Sequence, residues 1–282
     1  MNRRNFATGV GMAAGVAALA AGQPVPARAE TEATESTWDQ IHRTGIMRVG
    51  VVADQEPGFH KDPVTGEWSG SMVSMSRDIA STLGVKLGLH ETTYGNSILD
   101  LQSNKIDIGL ALQATPQRAL VINFTRPIYN AQFSAILRQG FHAKSWDDLN
   151  KPDVRIAVDL GSIFEVIAHH FAPKAQVIGL KDIQSVDMSL IAGRADAQLS
   201  GWLNSIVALK RNPQLGTLMV LPASLSMGVY FGTRYEQDQR LIQFLNAWGD
   251  YNRQIGQTRQ WIVDSLKVFN MTADDIPAGI TF

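Results

Sequence analysis

Hydrophobic positions along this chain follow two alternating rhythms. Residues 46–53 (IMRVGVVA) form a short β-branched run and read as a buried strand. Met72, Met75, Ile79 and Leu83 then recur at helical spacing and predict a helix over 72–83 with one apolar face. Residues 85–91 and 106–112 are strand-like again, and Thr115-Pro116 marks a helix start, with Thr115 as cap and Pro116 in the first turn. This order predicts a parallel-rich sheet with helices on both faces.

The rhythm restarts after Gly140. Strands are expected over 154–158, 175–178 and 195–199, and helices over 162–171, 183–191 and 202–209. Residues 227–231 look extended. A long helix is expected over 235–255, with Leu241, Leu245, Trp248, Tyr251 and Ile255 along its inner face. Two α/β units therefore follow one another without an internal sequence repeat. No Gly/Ser-rich linker separates them, so the crossovers near Asn130 and Ser226 are expected to be ordered strands.

Composition narrows the class. At 282 residues the chain holds one large domain or two ordinary ones. With 45% hydrophobic residues and a net charge of -1, it has the balance of a globular core, which excludes a disordered chain. The absence of cysteine excludes disulfides, thiolate-bound zinc, iron–sulfur clusters and a cysteine nucleophile. The lack of a basic excess argues against a nucleic-acid partner.

Residues 1–29 read as an export signal. Arg3 and Arg4 form a basic start, residues 6–21 a bland Ala/Gly/Val stretch, and Ala27-Arg28-Ala29 a small-x-small cleavage site. Asn2-Arg3-Arg4-Asn5-Phe6 is similar to a twin-arginine motif; an ordinary secretory start with two arginines is the other reading. The apolar run is too short for a spanning helix, and no later stretch is long and apolar enough to span. Cleavage after Ala29 removes three arginines and no acid, leaving an acidic chain. That chain is expected to be soluble and periplasmic.

Chemistry-bearing motifs are few. His169 and His170 are adjacent in a helix and point apart, and no histidine pair has metal-ligand spacing, so no metal site is expected. Phosphate-loop, dinucleotide and nucleophile-elbow patterns are missing, so no cofactor is expected. Asp147-Asp148 and Asp274-Asp275 read as solvated faces or helix caps. Arg118 is the leading ligand-binding candidate. It lies just inside a helix start, after a strand whose end should face a cleft, and its planar fork matches a carboxylate. Gly161-Ser162 is the second: glycine permits close backbone approach, and N–H groups at a helix start attract an anion. The other reading is a tight strand–helix turn with Ser162 as cap. Phe59, Tyr94 and Trp202 are candidate apolar walls, or else core.

Several segments carry a family likeness in order. They are residues 45–51 (GIMRVGV), 54–59 (DQEPGF), 66–70 (GEWSG), 103–107 (SNKID), 114–118 (ATPQR), 123–129 (NFTRPIY), Asp147 to Leu149, Gly161-Ser162 and 193–197 (GRADA). Together they make the chain resemble the bacterial extracellular solute-binding proteins of family 3, the polar amino acid-binding components of ABC importers. The likeness runs from about Gly45 to Leu266. It implies an α/β, two-lobed periplasmic binding protein fold (type II), each lobe a mixed sheet flanked by helices, with two crossover strands as hinge. Lobe 1 is then 30–130 plus 227–282, and lobe 2 is 131–226. The implied partners are a carboxylate-bearing small molecule and the importer's membrane subunits, with the protein a monomer. Arg118 falls where relatives grip the ligand carboxylate, and Gly161-Ser162 where the second lobe closes on it.

Departures from the pattern fall on ligand positions. Gln113 stands where Ser or Thr is usual, and the segment from Asp107 to Arg118 looks one residue short, which questions the backbone around Ala111. Gly201 stands where relatives carry the aspartate that binds the ligand's ammonium. A buried cation without an anion is costly. Either the ligand lacks that ammonium or another acid serves, Asp159 or Glu56. The expected function is ligand capture without chemistry. The alternative is a cleft enzyme of the cyclohexadienyl dehydratase type on the same fold, with Glu56, Asp159 or Glu165 as acid.

Overall fold

The computed structural model describes residues 35–221 and 226–276; the expected export signal, with its expected cleavage site after Ala29, lies outside the described residues. In chain order the elements are α1 (Thr37–Thr44), β1 (Ile46–Val52), β2 (His60–Lys61), β3 (Trp68–Ser69), α2 (Ser71–Leu83), β4 (Lys86–Thr92), α3 (Tyr94–Gln102), β5 (Ile108–Leu112), α4 (Pro116–Ala119), β6 (Ile122–Phe124) and β7 (Tyr129–Leu137). They continue with α5 (Trp146–Leu149), β8 (Arg155–Asp159), α6 (Ile163–Phe171), β9 (Gln176–Leu180), α7 (Ile183–Ile191), β10 (Ala197–Gly201), α8 (Trp202–Arg211), β11 (Thr217–Val220), β12 (Ser226–Arg234), α9 (Arg240–Gln254) and α10 (Gln257–Lys267).

The strands run in the order β4-β1-β5-β12-β7-β10-β8-β9, with β6 on β12 and β11 on β7. The outer pairs β1/β4, β1/β5, β8/β10 and β8/β9 are parallel. The inner pairs β5/β12, β7/β12 and β7/β10 are antiparallel. The parallel pairs are the expected βαβ units. The antiparallel centre forms because β7 and β12, the two crossovers, lie side by side with Val229 opposite Tyr129 and Ser226 opposite Gln132.

Apolar cores sit on either side of this centre. One gathers Met47, Val49 and Val51 of β1, Met72, Met75 and Ile79 of α2, and Leu241, Leu245 and Trp248 of α9. Another gathers Phe133 and Ala135 of β7, Ile156 and Val158 of β8, and Ile167 of α6. Each fully buried Val, Leu, Ile, Phe or Met among them contributes roughly 1.5–3 kcal/mol. A smaller cluster joins α8 to the end of α10 and the segment after it: Val207 packs with Leu266 and Met271, and Phe269 lies against them.

Each side of the centre also contains the same polar device. Arg48 turns its guanidinium onto the fully buried Asp107, whose carboxylate also accepts the Arg48 backbone N–H. Arg155 does likewise with Asp196, which takes a further bond from Arg138. Each buried carboxylate thereby finds the donors that its oxygens would otherwise take from water.

Helix limits follow local chemistry. Thr115 accepts from the Arg118 N–H and Pro116 opens α4. Ser162 caps α6 and Asp182 caps α7, whose limits are those expected. The expected long helix over 235–255 is shorter, since α9 begins at Arg240. Glu236 instead accepts from Arg234 and Thr37, which holds residues 235–239 out of helix. Tyr251 and Ile255 do not lie on its inner face; they are 63% and 57% exposed. A period of 3.6 from Leu241 and Leu245 passes through Trp248 to Asn252, which is buried and bonds the Trp248 carbonyl.

Candidate ligand-binding cleft

Strand ends from both sides of the centre converge on a small cavity of about 50 Å³. Tyr94, Ala111 and Gln113 line it from one side, and Phe133, Ser162 and Phe164 from the other. Arg118 stands beside it, bonded to its wall. The guanidinium donates to the Gln113 carbonyl at 3.0 Å and to the Gly161 carbonyl at 2.8 Å, so one side chain ties the β5–α4 turn to the β8–α6 turn. A guanidinium has five N–H donors, and these bonds use two. Burial draws the Arg118 pKa down, partly offset by Tyr94.

Ala111 adopts a left-handed backbone (φ 54), and β5 and β12 slip register there: Gly109 pairs Gly232 and Leu112 pairs Tyr230. Three steps on β5 oppose two on β12, which makes a bulge. That is how the chain accommodates the spacing that put Ala111 in question.

At Gly161-Ser162 the structure shows the tight strand–helix turn with Ser162 as cap. Its N–H groups are already engaged. Gly161 donates to Glu165 at 2.8 Å, Ser162 to the Asp159 carbonyl at 3.1 Å, and Phe164 to the Ser162 hydroxyl at 3.2 Å. An acid one turn into α6 folds back and occupies the donor that an anion would use. Close approach is present, however: a Cβ on Gly161 (φ 75) would come within 2.9 Å of the Gly95 Cα.

Asp159 ends β8 at 4% exposure. Its Oδ2 accepts from the Gln55 amide at 3.1 Å, and its Oδ1 has no hydrogen-bond partner among the described residues. Burial, followed by the charges of Asp182 and Glu165, pushes its pKa up to about 7. Tyr94, partly buried, feels both Asp159 and Arg118, and burial pushes its phenol above the ordinary value.

Gly201 lies on the cavity wall, and a Cβ there would come 2.8 Å from Asn204 Oδ1. Asn204 thus fills the space a longer side chain at 201 would enter. Its amide donates to Gln55 Oε1 at 3.4 Å, and Gln55 in turn donates to Asp159. A polar chain therefore runs from the Gly201 position to the buried acid.

The other expected residues scatter. Glu56 is buried away from this cavity and accepts from Arg211 at 2.8 Å and His60 at 3.1 Å. Phe59 is 1% exposed and packs in the core with α2. Trp202 is buried at the start of α8 and does not line the cavity. Sequence reasoning missed Gln55 and Asn204. Gln55 lies inside a quoted ligand loop, and Asn204 lies one helical turn beyond the conspicuous Gly201.

Comparison with known proteins adds the lineage. The chain is 23% identical over 238 residues to a cyclohexadienyl dehydratase of Pseudomonas aeruginosa, covering 83% of this chain and 87% of that one. Among solved structures, an ancestral amino acid-binding protein described as a precursor of cyclohexadienyl dehydratase superposes with a TM-score of 0.72 at 29% identity, covering 83% and 99% of the two chains. An amino acid ABC transporter substrate-binding protein of Streptococcus pneumoniae bound to L-arginine superposes with a TM-score of 0.76 at 21% identity, with 83% and 99% covered. The two-lobed binding-protein architecture expected from the sequence is the one these neighbours share. No helix among the described residues is long and apolar enough to cross a membrane. The family profile matches residues 47–259, and with strand ends from two α/β halves meeting around one cavity, the chain belongs to the bacterial extracellular solute-binding proteins, family 3.

Proposed function

We propose that this chain is a periplasmic protein that captures a small carboxylate-bearing ligand, an amino acid or a related compound, for an ABC importer. The observation that supports this most is the combination of Arg118, bonded to the carbonyls of Gln113 and Gly161, with the polar chain Asn204–Gln55–Asp159 that starts from the same cavity's wall. It provides a fixed cation for a carboxylate and, despite glycine at 201, a buried acid for a cationic group. In this reading lobe 1 is 30–130 plus 227–282, lobe 2 is 131–226, and β7 and β12 form the hinge. Arg118 anchors the carboxylate from lobe 1, and Ser162 meets it from lobe 2. Ligand binding stabilises the closed form, which the importer's membrane subunits recognise. The protein acts as a monomer, exported through the signal of residues 1–29 by the twin-arginine or general secretory route.

The test is a thermal-shift panel of amino acids and small organic acids, with native mass spectrometry for a co-purified molecule. A saturable shift without conversion supports capture. Arg118→Ala is expected to weaken the ligand at least about tenfold, since a hydrogen bond to a charged group is worth about 1.5–3 kcal/mol. Unchanged affinity in calorimetry would sink the assignment.

A second reading has its own support. Buried near the charges of Asp182 and Glu165, Asp159 has its pKa pushed up to about 7, and a relative is a cyclohexadienyl dehydratase. An acid so placed can protonate a leaving hydroxyl. Sustained release of product from prephenate, followed by absorbance and lost in Asp159→Asn, would replace capture with catalysis.

A further inference from the structure

A second, larger cavity of about 380 Å³ lies between α7 and α8 over β10, with the loop after β1 along one side. Along β10, Leu199 packs into the core on one face. Alternation puts Gln198 and Ser200 on the other, toward α7 and α8. Both line this cavity.

Its polar lining is unbalanced. Asp54, Glu56 and Asp187 contribute carboxylates, and Arg211 is the only cation among the described residues on the wall. Arg211 bonds Glu56 at 2.8 Å, and its charge reaches Asp54 and Asp187 as well, so one cation serves three carboxylates. Asp54 receives only a neutral amide bond, from Gln184 at 2.8 Å. Gln198 is 1% exposed and bonds Asp187 through its amide, yet its Oε1 has no partner among the described residues, and neither does Asp187 Oδ1. Both orphaned atoms are acceptors, and buried acceptors without donors are costly. Burial raises the pKa of Asp54, with Glu56 adding to it, and raises that of Asp187 to about 6. Met188 and Ile191 supply apolar wall between the polar groups.

A ligand complementary to this lining carries N–H donors, positive charge and a short apolar body. We infer that this cavity is a second ligand site, which takes a small organic cation (a short-chain amine or guanidine) on Asp187 and Gln198, with Asp54 facing it from the loop after β1. Asn204 lines both cavities, so the two sites are neighbours. Arg118 lines neither, and a ligand here needs no carboxylate.

Agmatine, a guanidino-amine without a carboxylate, is the probe. Titration calorimetry on the mature protein is expected to give saturable binding with a dissociation constant of about 1 mM or tighter. Asp187→Asn and Gln198→Leu are each expected to weaken it about tenfold or more, with thermal unfolding recorded to show that both variants fold. Asp187→Asn should retain the thermal shift of carboxylate ligands, whereas Arg118→Ala should lose that shift and still bind agmatine. These opposite losses separate failure of this site from failure of the capture reading. No saturable agmatine binding, binding indifferent to both lining substitutions, or loss of both ligand classes in a folded Asp187→Asn each overturns the inference.

Discussion

Asp159 is built to be neutral. One oxygen accepts from Gln55, the other has no partner among the described residues, and burial with Asp182 and Glu165 nearby lifts its pKa to about 7. The folded protein therefore holds a proton that the unfolded chain releases near pH 4. Between about pH 4 and 7 the native state binds more protons, so this group makes stability fall as pH rises through that window. Asp159→Asn removes the penalty. Its melting temperature is expected to match wild type near pH 4 and to exceed it at pH 8 by several degrees, at about 2–4 °C per kcal/mol for a chain of this size. Equal melting curves at pH 8 would show that the carboxyl is not desolvated as described. The same proton should appear on ligand capture. If a cationic ligand group settles on Asp159, the acid ionises, and binding at pH 6 should release up to about one proton. Calorimetry in two buffers of different ionisation heat measures it; identical heats count against Asp159 as the ligand's counter-charge.

At the scale of elements, close approach across the centre rests on glycine. Gly161 has φ 75 and its Cα side faces Gly95, where an added Cβ would meet carbon at 2.9 Å. Gly161→Ala is expected to strain the turn and hold the two turns apart. Ligand affinity should fall about tenfold or more, with a larger radius of gyration in small-angle scattering. Unchanged values would show that this contact does not limit approach. The β1, α2, β5 and α7 patterns were readable because burial imposes a period on each. The inner face of α9 was misjudged because a buried asparagine, Asn252, occupies a position that hydropathy assigns to apolar neighbours. Around the cavity, Arg118, Tyr94 and Ser162 could be picked out beforehand from charge, aromaticity and turn chemistry, and Gln113 only through the family resemblance. Gln55 and Asn204 could not. They are neutral amides whose pairing joins positions 149 apart in the chain. No local signal records such a contact.

Across the whole molecule, two core regions flank a single sheet path whose middle is the β7/β12 pair. The expected crossovers near Asn130 and Ser226 are the strands found there. Their antiparallel pairing explains why no flexible linker was visible. Arg48–Asp107 and Arg155–Asp196 repeat one device without a sequence repeat, since a buried carboxylate at a strand start has the same need for donors on either side.

The packing of the segment after α10 against α8 has a practical corollary. Phe269 and Met271 reach across to Val207, an element from the far side of the central strand pair. Any swing of α8 away from them uncovers an aromatic bond that chymotrypsin cuts. Digestion should therefore clip the unliganded protein after Phe269 and slow when ligand is added, turning a patch of ordinary packing into a gel-based readout of lobe movement.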